Sequence, residues 1–340
     1  MFTRSDGSTS PTIDLVTTKE LATGYQTAQF AIPYSVAIQE EEVIEINDYL
    51  YKVKEVNATK NDKVEVYCLP FFGQLKSKRI DSLIGLGKTF EDCLKEALQE
   101  TDWSYEIHTP IAGAFGLTLQ YMTVFDAIER LKELYQCEYY YDTKEKKINV
   151  WARYKMGRAK DLVTFSRANA HLKFSSNSYD LVTRLIPIGK NNSTINVVND
   201  GCIWLENHQY TDEIITAYYV INDIDNPNDL KDIAEYKLQV LSRPAISYTI
   251  NTDMLGQTPL DIGDSVIVLD SYRKTKETMR VSKVKVDSSN PSNSLIVVGD
   301  ALVSFDDIYK ELSEAQAIVN KNTLNNITEL SHSYWLSTGA

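Results

Sequence analysis

The chain has 340 residues, 43% hydrophobic and 24% charged, a globular composition long enough for two or three domains without disulfide or metal staples. Forty-seven acidic side chains against thirty-five basic give a net charge of −12, which argues against a broad grip on nucleic acid phosphates or an anionic membrane surface. No run approaches the roughly 18 apolar residues of a membrane span, and MFTRSDGSTS lacks the apolar core of a signal peptide, so a soluble chain made in a cytoplasm is expected.

From Thr12 to Leu69 the pattern is strand, turn, strand. Val43 to Ile46, Tyr49 to Val56 and Val64 to Leu69 alternate apolar and polar side chains, with Asn57 to Lys63 as a turn, and predict an antiparallel meander. Near residue 89 the period changes. Phe90, Cys93, Leu94, Ala97 and Leu98 share one helical face behind a capping box of Thr89 and Asp92. Thr123 and Asp126 repeat the box before Val124, Ala127, Ile128, Leu131, Leu134 and Tyr135, and two strands follow at Glu138 to Tyr141 and Lys147 to Trp151.

Strand signals return at Leu172 to Phe174, Leu181 to Gly189 and Cys202 to Glu206. A helix then begins after Asn226-Pro227-Asn228, carries Leu230, Ile233, Ala234, Leu238 and Leu241 on one face, and stops before Pro244. Ser247 to Thr252, Ile262 to Asp270, Thr278 to Val286 and Leu295 to Val298 predict a second β unit. After a third box at Ser304 and Asp307, the stripe Phe305, Ile308, Leu312, Ala315 and Val319 predicts a final helix with an apolar face for its own chain or a neighbour's. The expected fold is α+β and predominantly β. It has two barrel-like β domains (1–85 and 166–303, the second with one helix and divisible into two), an inserted α/β domain (86–165) and a C-terminal helix (304–340). IGLGK at Ile84 and IPIGK at Ile186 are too short to count as an internal repeat.

Chemistry-bearing motifs fail in detail. Ser82 to Thr89 (SLIGLGKT) runs into a helix like a phosphate loop, but Ser82 replaces the first glycine, and Thr89 reads as a helix cap with the glycines as loop flexibility. Asp223 to Asp229 resembles the start of a calcium loop, yet Pro227 stands fifth, no glycine is sixth, and Ala234 stands where a bidentate glutamate is needed. His108, His171, His208 and His332 are scattered, and Cys68, Cys93, Cys137 and Cys202 form no CxxC and read as free thiols of a reducing compartment. Glu40-Glu41-Glu42 reads as a solvated loop. No catalytic, cofactor or metal site is assigned. The 21 tyrosines beside 14 glycines point to half-buried sheets and wet protein contacts.

NAHLKFSSNSYDLVTRLIPIGK from Asn169, then INVVNDGCIWLENHQY, DIDNPNDLKDIAEYKLQVLSRPAISYTIN and PLDIGDSVIVLD resemble, in order and spacing, the N-terminal hub region of phage tail proteins of the prophage endopeptidase tail, or tail-associated lysin, family. The resemblance also takes in the hairpin INDYLYKVKEV. It implies a non-enzymatic baseplate hub at the virion tail tip, a homotrimer whose two barrel-like domains per chain make a pseudo-sixfold ring. It further implies partners in the distal tail protein, tail tube and tape-measure proteins, transient passage of DNA without specific binding, and no membrane insertion. Larger relatives continue into a hydrolase or receptor-binding region, whereas this sequence stops at Ala340, so the lytic role is not carried over. Two expectations accompany this reading: acidic charge concentrated toward a central channel, and Phe305, Ile308, Leu312, Ala315 and Val319 at a subunit interface. The rivals are a cell-wall hydrolase (a peptidoglycan endopeptidase) and a cell-wall carbohydrate or receptor-binding module using Trp204 or Trp335.

Overall fold

A computed structural model describes residues 1–58, 63–251 and 260–300, with Leu86 and residues 159–162 described by backbone alone. The expected helix at 304–340, with Phe305, Ile308, Leu312, Ala315 and Val319, lies outside the described residues, as do His332 and Trp335.

The first block is all β: β1 (Phe2–Arg4), β2 (Thr9–Ser10), β3 (Ile13–Glu20), β4 (Tyr25–Pro33), β5 (Val43–Ile46), β6 (Tyr49–Ala58) and β7 (Lys63–Pro70). All pairs are antiparallel, in the order β2-β1-β5-β6-β7-β4-β3. Alternation sets the faces. Tyr49, Tyr51 and Val53 of β6 and Val64, Val66 and Cys68 of β7 point inward, where they meet Phe2, Phe30, Ile44 and Ile46. Asn47 and Asp48 turn the β5–β6 hairpin with φ of 50° and 58°, the left-handed pair that a two-residue turn between twisted strands requires.

An α/β unit follows: α1 (Gln74–Ser77), β8 (Arg79–Thr89), α2 (Phe90–Leu98), β9 (Ser104–Ile107), β10 (Ala114–Thr123), α3 (Val124–Leu134), β11 (Cys137–Asp142) and β12 (Lys147–Ala152). Helices α2 and α3 bury the faces read from the sequence. Thr89 and Asp92 form both bonds of a capping box, whereas at α3 the Thr123 hydroxyl accepts from the Asp126 N–H and the Asp126 carboxylate accepts from that hydroxyl. One expectation is corrected. Gly85 and Gly87 lie inside strand β8, which pairs with β10 as a long antiparallel ribbon, and are not loop residues.

The second block has β13 (Ala159–Ser166) and β14 (His171–Asn177), then a smaller α/β unit of β15 (Arg184–Gly189), β16 (Leu205–Glu206), β17 (Thr216–Ile221) and α4 (Pro227–Leu241). It closes with β18 (Ala245–Asn251), β19 (Ser265–Asp270), β20 (Thr275–Asp287) and β21 (Leu295–Gly299). Asn226 caps α4, and Pro227 at its first turn sacrifices no helical hydrogen bond. The strand order is β14-β18-β21-β20-β19-β13.

Strand β3 pairs with β20 from Lys283 opposite Glu20 to Asp287 opposite Val16, so the two blocks share one 13-stranded sheet. The blocks also repeat one another. The antiparallel run β3-β4-β7-β6-β5 recurs as β14-β18-β21-β20-β19, and Ile46 opposite Tyr49 corresponds to Val268 opposite Glu277. Even the irregularity recurs. The β6–β7 ladder slips by one residue at Lys54 after Val53, and the β20–β21 ladder slips at Ser282 after Val281. Equivalent core positions are buried in both blocks: Phe30 and Ile250, Val53 and Val281, Val66 and Ile296, Cys68 and Val298. The correspondence ends at the outer strand, since β1 is antiparallel to β5 and β13 parallel to β19.

Candidate subunit interface

The residues that tempt a chemical reading are occupied with the fold. Ser82 to Thr89 is strand β8 and the α2 cap, and Lys88 pairs with Glu96 at 2.5 Å, so no loop is shaped to cradle phosphate there. Before α4, Asp223 pairs with Arg130 of α3, and in the first turn of α4 Asp229 accepts the Gly116 N–H at 3.2 Å. Those bonds tie the small α/β unit to the larger one, and burial, working against that Gly116 bond, pushes the Asp229 carboxyl up. Among the described residues no group of three or more His, Cys, Asp or Glu side chains could hold a metal ion.

His108 stacks on Trp151 with ring centroids 4.4 Å apart, His171 sits exposed in β14, and His208 contacts the Thr211 carbonyl. Cys68, Cys93 and Cys137 are buried, and burial pushes the thiols of Cys68 and Cys137 up to about 12, far from a reactive thiolate. Trp204 is partly exposed with the Arg184 guanidinium 5.1 Å from its ring centroid. Among the described residues no helix is long and apolar enough to cross a membrane.

The tyrosines divide between two roles. Tyr139 and Tyr141 are fully buried with Phe72, Phe90, Phe125 and Trp103, and burial lifts both phenols well above their ordinary range. Others face outward. In the β16-β15-β17 sheet, α4 packs on the side of Leu185, Ala217 and Tyr219. The opposite side carries Ile186 beside Tyr218 and Ile188 beside Val220, with Tyr218 69% and Val220 51% exposed. Tyr272, at the β19–β20 turn, is 83% exposed with Arg167 over its ring.

Two main-chain edges complete the surface. Strand β14 pairs with β18 alone among the described residues. The second half of β6, Glu55 to Ala58, pairs with β7 on one side, while β5 reaches only Tyr49 to Lys52 on the other. A shallow open depression lined by Gln29, Glu55, Asn57, Glu65, Val66 and Tyr67 lies over this half-covered strand. Sequence reasoning missed both edges, because side-chain alternation shows which face is buried and leaves main-chain partners unspecified.

Comparison with known proteins places this architecture. The prophage endopeptidase tail family matches residues 167–309. No curated protein sequence matches. Among solved structures, prophage tail protein gp18 from Listeria monocytogenes is similar at 13% identity, with 92% of this chain and 98% of that one covered and a TM-score of 0.62. A tail protein from Neisseria meningitidis is similar at 11% identity, with 88% and 95% covered and a TM-score of 0.64. The 43 kDa tail protein of prophage MuSo2 from Shewanella oneidensis is similar at 12% identity, with 88% and 96% covered and a TM-score of 0.64. The chain therefore carries a prophage endopeptidase tail match over residues 167–309 and shares its predominantly β fold with phage tail proteins.

Proposed function

We propose that this chain is a non-enzymatic structural subunit of a phage or prophage tail tip, a hub that assembles as a homotrimer. It joins the tail tube and distal tail protein to the host-contacting end and gates the exit of DNA. The observation that carries the reading is the repeat: two β blocks with one strand order, fused through β3 and β20, give each chain two wall segments of a ring. Three chains then present six such segments, suited to a tube of sixfold symmetry.

In this reading residues 1–85 and 166–303 supply the wall, 86–165 form the inserted α/β unit, and the 304–340 segment offers its Phe305, Ile308, Leu312, Ala315 and Val319 stripe to a neighbouring copy. The tape-measure protein contacts the hub from the tube side, and DNA passes through an acidic channel that does not hold it. The family's name includes an endopeptidase, but Asp92 is engaged in a helix cap, Asp223 in an ion pair with Arg130, and Cys68, Cys93 and Cys137 in buried cores.

The test is mass measurement in solution across concentration, with and without the distal tail protein. A trimer, alone or on addition of that partner, is expected; the partner is included because assembly can await it. A strict monomer that never joins it would sink the reading, and clearing of peptidoglycan in a zymogram would favour the hydrolase instead.

A further inference from the structure

We propose that copies of this chain join head to tail through a β ladder between β14 of one copy and the second half of β6 of the next. This contact repeats between copies the joint that β3 and β20 make within one. It rests on the ring reading above and names the strands and register that would build it.

The inference comes from completing a repeated pattern. Strand β20 is covered along its first half by β19, from Thr275 to Arg280, and along its second half by β3, from Lys283 to Asp287. Because β21 also pairs with Lys283 to Lys285, β3 and β21 must lie on opposite edges. Strand β6 is the counterpart of β20, with β5 along Tyr49 to Lys52 and the same one-residue bulge just before the second half begins. That second half has β7 on one edge and, among the described residues, no strand on the other.

Strand β14 is the counterpart of β3. Its inner edge is held by β18 as β3 is held by β4, and its outer edge, where β3 meets β20, pairs with no strand among the described residues. Each copy therefore spends one matched pair of edges on its own joint and carries a second matched pair that no strand covers among the described residues. The open edges differ from each other. A contact between them is heterologous, and repetition closes it into a ring when the turn per joint divides a full circle.

The occupant is a second copy because the edges fit each other in detail. The internal joint sets Lys283 against Glu20, Val284 against Lys19, Lys285 against Thr18 and Val286 against Thr17. Carried to the equivalent residues, it sets Glu55 against Asn177, Val56 against Ser176, Asn57 against Ser175 and Ala58 against Phe174. Neither segment contains proline, and no two like charges face each other across this register. The ladder is only four residues long, too short to template promiscuous aggregation. It exchanges main-chain hydrogen bonds to water for interchain ones, which favours assembly over unassembled chains at tail-building concentrations.

The test is a cross-link that reads register. With Cys202→Ser removing the half-buried thiol, Val56→Cys and Ser176→Cys are combined in one chain, oxidised with and without the distal tail protein, and read as covalent trimer on non-reducing gels. Facing residues of an antiparallel pair lie within disulfide range, so Val56→Cys with Ser176→Cys should link at least about tenfold more than Val56→Cys with Phe174→Cys, two positions out of register. Thr18→Cys with Lys285→Cys, facing residues of the internal joint, should link within a chain at any concentration and validates the chemistry. Trimers seen by mass without the 56–176 link, or with both registers linking equally, would overturn this joint and leave the ring standing. Absence of any assembly, partner present, would overturn ring and joint together.

Discussion

Arg280 of β20 and Glu138 of β11, 142 residues apart in sequence, form a bidentate ion pair at 2.5 and 2.9 Å. Glu138 also accepts the Met156 N–H, and Arg280 also donates to the Met156 and Gly263 carbonyls, so one pair fastens the larger α/β unit to the second β block. The side chains are only 20% and 11% exposed, so removing one partner strands the other's charge. Arg280→Met should lower stability by about 2 to 4 kcal/mol in urea unfolding, and adding Glu138→Gln should recover part of that loss because no unpaired charge then remains.

Acid should weaken the hold of Asp300 on the end of the second block. Burial alone would raise the Asp300 carboxyl, but two hydrogen bonds from Arg243, at 2.7 and 2.9 Å, and one from the Ile246 N–H outweigh it and hold the group below its ordinary 3.8. A carboxyl lowered in the folded state contributes stability that is complete above its unfolded pKa and lost as pH falls through its folded one. Asp300→Asn should therefore reduce stability at neutral pH and flatten the decline of the urea midpoint as pH falls through and below the ordinary carboxylate range. An unchanged acid slope would contradict this role.

Gly157 and Gly263 press backbone against backbone. Both have φ near +85°, and a Cβ on Gly157 would fall 2.1 Å from the Gly263 carbonyl carbon. Gly157→Ala meets both a left-handed backbone and a main-chain clash, and should cost more than about 1 kcal/mol in urea unfolding. Gly7, with φ +82° and open space around its Cβ position, meets only the first penalty, so Gly7→Ala should cost less.

Thiol titration should separate the four cysteines. Cys202 alone is half-buried; Cys68, Cys93 and Cys137 are buried and their thiols raised by burial. One equivalent of an aromatic disulfide reagent should react promptly with the native protein, and all four cysteines after denaturation. Prompt reaction of Cys68 would mean that the first block's core is open.

Helices α2, α3 and α4 were legible because a 3.6-residue stripe and a cap residue are local signals that survive any tertiary context. Strands β8, β13 and β17 were missed. RIDSLIGLGKT in β8 mixes glycine and charge, and TAYYVI in β17 has apolar residues on both faces, so neither shows clean alternation. The repeat was hidden for another reason. Equivalent positions share burial and register, as Phe30 and Ile250 or Cys68 and Val298 do, without sharing side chains. The β3–β20 joint unites strands more than 260 residues apart, and no local pattern encodes which distant edge a strand will meet. The interface residues expected from sequence, Phe305 to Val319, lie beyond the described residues, while the β14 and β6 edges, which no strand covers among the described residues, are made of peptide groups common to every sequence.

The hairpin positions of the two blocks differ in what they carry. Between β3 and β4 stand the four residues Leu21 to Gly24, with Gly24 held so tightly on Tyr139 that a Cβ there would come within 2.3 Å of its carbonyl oxygen. Between the equivalent β14 and β18 the chain departs to build an entire sheet and helix before returning to the same register. Chain closure penalises length only logarithmically, so such a detour leaves the strands undisturbed. In the ring proposed above, such ornament would alternate around a uniform wall: the strands would repeat with every block, and the excursion only with every second one.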